Sequence, residues 1–132
     1  MSIVHDNIIK AYQVDFENET LIFKTQYETQ EKTDVIFMGY LAHTFCCEMK
    51  NNIIFDIEEH PLNDFFEDEQ KTLEKQKNSA WPVMYDTIND LLNYLQINKY
   101  KAFFISSSLG LSGWVLAKQM NIITEQLRSP HL

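Results

Sequence analysis

Apolar and polar residues alternate over residues 21–27 ("LIFKTQY"), with Leu21, Phe23, Thr25 and Tyr27 on one side and Ile22, Lys24 and Gln26 on the other. A period of two is that of a half-buried β-strand. Residues 8–16 show the same period, with Ile8, Tyr12, Val14 and Phe16 at even positions and Lys10 interrupting. Residues 33–47 ("TDVIFMGYLAHTFCC") are apolar on both faces and long for one strand. Gly39 is where a bend or bulge is expected, because an interior glycine has no side chain to pack. In residues 53–58, Ile53, Phe55 and Ile57 are expected on one face and Ile54, Asp56 and Glu58 on the other. Polar breaks at "NET", "ETQEK" and "KNN" are short, which favours antiparallel neighbours.

The period then changes. Pro61 follows the strand, and Asn63 or Asp64 is expected to cap a helix. Acids crowd its first turns and Lys71, Lys75 and Lys77 its end, an order that complements the helix dipole. Glu67 and Lys71 stand at a favourable spacing for a pair. A second helix is expected from Pro82, with Ser79 as a cap and Met84, Ile88, Leu91, Leu92 and Leu95 turned to the sheet. Beyond it, "YKAFFISSS" predicts a buried strand and "SSLGLSG" a loop. Residues 113–119 predict a further strand, followed by a short terminal helix or tail, because Leu116, Met120, Ile123 and Leu127 stand at helical spacing.

These elements predict an α+β fold: an antiparallel meander of about five to six strands, covered on one face by two helices from the middle of the chain. A length of 132 residues fits a single domain over 1–132. Hydrophobic residues make up 45%, enough for a packed interior. No apolar run approaches the ~20 residues that cross a membrane, and "MSIVHDNIIK" lacks the basic start and apolar core of a signal peptide. The two cysteines, Cys46 and Cys47, are neighbours. In a strand they point to opposite faces, which is poor geometry for a disulfide, so buried packing as free thiols is expected. Free thiols fit a reducing compartment, the cytoplasm.

Charge changes the picture most. The net charge is −8, and Asp56, Glu58, Glu59, Asp64, Glu67, Asp68 and Glu69 fall within "DIEEHPLNDFFEDEQ", which holds no lysine or arginine. Outside that stretch twelve acids face eleven bases, so nearly all of the imbalance is local. Such a surface repels nucleic acid and anionic lipid and attracts cations.

No motif in the sequence identifies a reaction. "GLSGW" resembles a nucleophile elbow but has Trp114 where glycine is required, and no His and Asp partners stand out. Ser106, Ser107, Ser108 and Ser112 read as loop-satisfying residues. His5, His43, His60 and His131 have no metal-ligand spacing, and His43 on its apolar strand reads as a hydrogen-bonded core residue. Asp56 and Glu58 share a strand face about 7 Å apart, a separation open to acid–base or hard-cation chemistry with His60. The other reading of these carboxylates is an acidic edge that faces solvent or a partner. Trp81 and Trp114 border loops, where aromatic anchors beside charge mark binding hot spots.

The stretches "NIIFDIEE", "WPVMYD" and "FFISSSLGLSGWVLAK" resemble the YxiG-like small proteins of Bacillus and its relatives, over about residues 40–120. Some proteins of that kind lie beside secreted polymorphic toxins as suspected immunity proteins, and the resemblance supplies no catalytic residues. It implies a non-enzymatic inhibitor. Together with the charge, this gives the functional expectation: a cytoplasmic module that blocks a basic, nuclease-like toxin domain by occlusion. The contact would comprise Asp56, Glu58, Glu59, Asp64, Glu67, Asp68, Glu69 and Trp81. No cofactor, metal, nucleic acid or membrane enters this reading. The alternatives are a small metal-dependent hydrolase built on Asp56, Glu58 and His60, and a sheet that binds an apolar ligand along residues 35–47.

Overall fold

A computed structural model describes residues 4–125 of the protein. It is α+β, with strands β1 (Ile8–Asp15), β2 (Thr20–Gln26), β3 (Lys32–Met38), β4 (Ala42–Cys46), β5 (Asn52–His60), β6 (Lys101–Leu109), β7 (Ser112–Ala117) and β8 (Gln119–Thr124). Two helices, α1 (Leu62–Gln76) and α2 (Ile88–Ile97), lie between β5 and β6. All strand pairs are antiparallel, in the order β4-β7-β6-β5-β1-β2-β3-β8.

The strand count of eight exceeds the five to six expected, and the order is two three-stranded meanders rather than one. The extra strands arise where long segments bend. At Gly39, with φ +67°, residues 32–46 break into β3 and β4 as the sequence predicts. A Cβ there would sit 2.7 Å from the Lys118 side chain, so the bend and its close neighbour both require glycine. Lys118 separates β7 from β8. The two breaks face each other: Lys118 N–H donates to Met38 O at 2.9 Å and Leu41 N–H to Leu116 O at 2.9 Å. The chain runs on from β3 to β4 and from β7 to β8, so the two ends of the strand order are joined. The sheet closes on itself as a barrel of six bent ribbons. Its thinnest join is β1 to β5, paired only at Ile8–Ile53 and Ile9–Asn52.

One core fills the barrel. Ile9, Leu21, Phe23, Val35, Phe37, Ile54, Ile57, Phe103, Ile105 and Val115 are buried there, contributed by β1, β2, β3, β5, β6 and β7. A second core lies between the helices and the outer face of β4, β6 and β7, where Phe65, Phe66, Leu73, Leu91 and Leu95 meet Ala42, Ala102, Trp114 and Leu116. Strand alternation sends Val115 inward and Trp114 and Leu116 outward. Both faces of β7 are therefore covered, and Trp114 through Ala117 is a continuous buried run.

Several local expectations are corrected. In β5 the register skips between Ile54–Ser107 and Asp56–Ser106, leaving Phe55 as the extra residue of a bulge. Ile54 and Ile57 both reach the barrel core, and Phe55, expected to share a face with Ile57, is 54% exposed. Helix α1 starts directly after Pro61 with no side-chain cap, so neither Asn63 nor Asp64 serves as one. Pro61 O itself accepts the first helical bond, from Phe65 N at 3.1 Å. Helix α2 starts at Ile88 rather than near Pro82. Thr87 caps it through a capping box with Asp90, a stronger start than Ser79 offers. Residues 80–87 are irregular, and Met84, expected to face the sheet, is 85% exposed. After β7 the chain continues as strand β8 on β3, not as helix. The helical spacing there is incidental: Met120 and Ile122 pack against the barrel core while Ile123 is exposed. Leu127 and His131 lie outside the described residues.

Candidate partner-binding surface

The acidic stretch spans the corner where β5 hands over to α1. Glu58 is exposed, and its Oε2 lies 3.5 Å from His60 Nε2. The His60 ring stacks on Phe104 at 4.3 Å, which fixes it against the sheet. Asp56 is half-buried and accepts a 2.9 Å bond from the N–H of Ile57. It points with Glu58 to the outer face, as alternation predicts. Glu59 takes the other face and lies 3.8 Å from Lys101 Nζ. The structure therefore divides the three β5 acids between two faces.

Helix periodicity decides where the α1 acids point. Leu62, Phe65, Phe66 and Leu73 pack inward. Asp64, Glu67 and Asp68 are exposed, and Glu69 is half-buried on the boundary. Glu67, Asp68, Gln70, Lys71 and Glu74 border one shallow depression. The expected Glu67–Lys71 pair does not form among the described residues; Gln70 donates instead to Glu74 at 3.0 Å. Among the described residues, Asp56, Asp64, Glu67, Asp68 and Glu69 take part in no ion pair. The field they set up is therefore not cancelled locally.

Trp81 does not join this surface. It is half-buried against the helix-layer core, its ring 5.7 Å from that of Trp114. It lines a hollow with His43, Gln76 and Ser79 at the far end of α1. Trp114, expected near the surface from its bordering loop, lies instead inside β7 at 2% exposure, and its Nε1–H has no hydrogen-bond partner among the described residues.

Sequence reasoning missed a second polar cluster. Tyr12, Tyr40, His43, Phe45 and Glu48 converge at one end of the barrel. The Tyr40 hydroxyl lies 2.7 Å from His43 Nδ1, and the Tyr12 hydroxyl donates to Glu48 Oε1 at 2.9 Å. Phe45 packs beside His43 at 4.6 Å and Tyr12 at 5.3 Å. Burial pushes the His43 imidazolium down, opposed by the negative charge of Glu48. Burial likewise pushes the phenols of Tyr12 and Tyr40 up. His43 is half-buried and hydrogen-bonded, in keeping with its reading as a core histidine. Tyr40 stands in the bend between β3 and β4 and His43 in β4, a spacing that strand alternation alone would place on opposite faces, so their pairing left no signal. Tyr12 and Glu48 come from distant parts of the chain and left no local signal.

Among the described residues no group of three His, Cys, Asp or Glu is placed to hold a metal ion, so Asp56 does not join Glu58 and His60 in such a site. Phe37 packs on Phe23 and on Phe103, each at 5.5 Å, and the interior there is filled by side chains. The loop expected at "SSLGLSG" is only the turn at Gly110 and Leu111: Ser106, Ser107 and Ser108 lie in β6 and Ser112 opens β7, with Ser107 donating to the Leu111 carbonyl in the turn. Among the described residues no helix is long and apolar enough to cross a membrane. Comparison with protein-family models, curated proteins and solved structures finds no match for this chain.

Proposed function

We propose that the protein is a non-enzymatic binding module whose acidic β5–α1 corner meets a basic protein partner. The observation that carries this reading is the set of five carboxylates, Asp56, Asp64, Glu67, Asp68 and Glu69, with no ion-pair partner among the described residues. They stand on a strand and a helix anchored by Phe65 and Phe66, so the charges are held in place by a rigid frame. Fixed like charge of this kind speeds encounter with an oppositely charged surface and rejects anionic polymers. The partner fitting both this charge and the resemblance to YxiG-like proteins is a basic, nuclease-like toxin domain. The protein acts as its immunity protein, covering the cationic cleft and excluding its substrate. Two free cysteines are consistent with a reducing compartment, the cytoplasm. Glu58 and Glu59 flank the contact, and Trp81 is not part of it.

The test is association kinetics with a basic nuclease domain encoded beside this gene, measured over a range of salt concentrations. Neutralising Glu67→Gln, Asp68→Asn and Glu69→Gln together should slow association about tenfold and flatten its salt dependence. An unchanged rate and salt slope would remove the acidic corner from the contact.

A further inference from the structure

The acidic surface makes no use of the two cysteines, which sit side by side where β4 ends. Both are free and exposed, where buried packing was expected. Consecutive strand residues point to opposite faces, but Cys47 has φ +68°, a left-handed turn that few non-glycine residues adopt. That turn ends the alternation and brings the two sulfurs together. Cys47 S–H donates to Cys46 Sγ at 3.1 Å, and Ser112 Oγ lies 3.7 Å from the same sulfur. The bond from Cys47, and after it that from Ser112, lowers the Cys46 thiol below its ordinary range. Cys47 is raised in turn by its contact with Cys46. The two thiols are thus unequal: Cys46 gives up its proton to form the nucleophilic thiolate more readily than Cys47, which donates its own toward it.

We propose that Cys46 and Cys47 form a thiol–disulfide exchange site for small disulfides of the glutathione class, with Cys46 as the attacking sulfur and Cys47 as the resolving one. The Cys46 thiolate attacks one sulfur of glutathione disulfide. That S–S bond breaks, one glutathione leaves as thiolate, and a mixed disulfide remains on Cys46. Cys47 then gives its proton to water and attacks Cys46 Sγ. The second glutathione leaves as thiolate, and a ring closes through the Cys46–Cys47 peptide. The protein has lost two electrons and two protons, and one glutathione disulfide has become two glutathione thiols.

The ring is easily reopened. Adjacent Cα atoms stand about 3.8 Å apart, short of the ~4.4–6.8 Å that an unstrained disulfide spans. Strained, exposed disulfides are the reducible ones. Closure also reaches beyond the sulfurs. Glu48 follows Cys47 directly and holds the Tyr12 hydroxyl at 2.9 Å, so a change in the Cys47 backbone is felt in the aromatic cluster at the barrel end.

The experiment is intact-mass spectrometry of the reduced full chain during incubation with glutathione disulfide, quenched by acid. The wild type should pass through a single glutathionyl adduct to a species two hydrogens lighter than the starting protein, and excess reduced glutathione should reverse it. Cys47→Ser should stop at the single adduct. Cys46→Ser should form its adduct several-fold more slowly, with circular dichroism confirming that both variants keep the fold. A wild type that ends at one or two adducts without losing hydrogens overturns ring closure. Equal adduct rates in Cys46→Ser and Cys47→Ser overturn the assignment of Cys46 as the attacking thiol.

Discussion

Lys101 Nζ lies 3.8 Å from Glu59 Oε1, and among the described residues it is the one lysine in an ion pair with the acidic segment. Both side chains are about half exposed, so the pair is worth little. Asp64, Glu67, Asp68 and Glu69 of α1 crowd one another with no ion pair among the described residues, and salt should relieve that repulsion. Raising sodium chloride from about 0.02 M to about 0.3 M is expected to raise Tm by roughly 2–4 °C. The triple change Glu67→Gln, Asp68→Asn, Glu69→Gln should reduce this rise. A Tm that falls with salt in differential scanning calorimetry would mean that attractive pairs dominate the surface.

Gly113 sits in β7 with φ +147°, where β4 passes so close that an added Cβ would lie 1.9 Å from the Thr44 carbonyl oxygen. The obstructing atom is backbone and cannot swing aside. Gly113→Ala should therefore cost roughly 3 kcal/mol, mainly through separation of β4 from β7. Urea denaturation measures this directly, and a cost under about 1 kcal/mol would show that the strands shift freely.

Thr87 opens α2 by accepting from Asp90 N–H at 3.1 Å, while Asp90 accepts from Thr87 N–H at 3.2 Å. Thr87→Ala removes the first bond and should destabilise the protein by about 1 kcal/mol. Ser79→Ala, at the start expected from sequence alone, should change stability by less than about 0.5 kcal/mol. Equal effects from the two changes would contradict the observed helix start.

His43 provides a pH test. Its imidazole has an ordinary pKa of 6.5, which burial lowers in the folded protein. Above 6.5 the group is neutral folded or unfolded, and its full contribution is present. Below that value the unfolded chain takes up a proton that the folded protein resists, so stability falls as pH drops toward the folded pKa. The wild type should lose more stability than His43→Gln between about pH 7.5 and pH 5.5. Parallel denaturation curves for the two proteins across that range would show that His43 does not titrate differently on folding.

Much of the architecture was legible because period and burial agree. Leu21, Phe23 and Val35 follow strict alternation and reach the barrel core. Leu91 and Leu95 follow helical spacing and reach the helix layer. The bend at Gly39 could be anticipated from glycine alone. Legibility failed where a single residue changes phase. Phe55, extra in the bulge, reverses the facing of Ile54 relative to Ile57, and no local pattern announces it. Cys47 does the same at the end of β4, carrying two thiols to the surface instead of the interior. Strand β8 was hidden because its partner β3 lies far away in sequence, and the incidental helical spacing of Leu116, Met120 and Ile123 masked the alternation of Met120 and Ile122. The acidic corner was legible as composition, since charge sums without a fold. The placement of Trp81 was not, because it depends on where α1 ends.

Joining β3 to β4 and β7 to β8 leaves the ring of strands with neither a first nor a last member. Proteins that recognise others by adding a strand need an open row of amides, and a closed ring offers few. One gap is the stretch of β1 beyond Ile9, where pairing with β5 stops and Glu48, held by Tyr12, stands alongside. Among the described residues, unpaired backbone stands there and along the second edges of β4 and β8, each of which pairs with one strand, so backbone-to-backbone docking has only these short stretches to use.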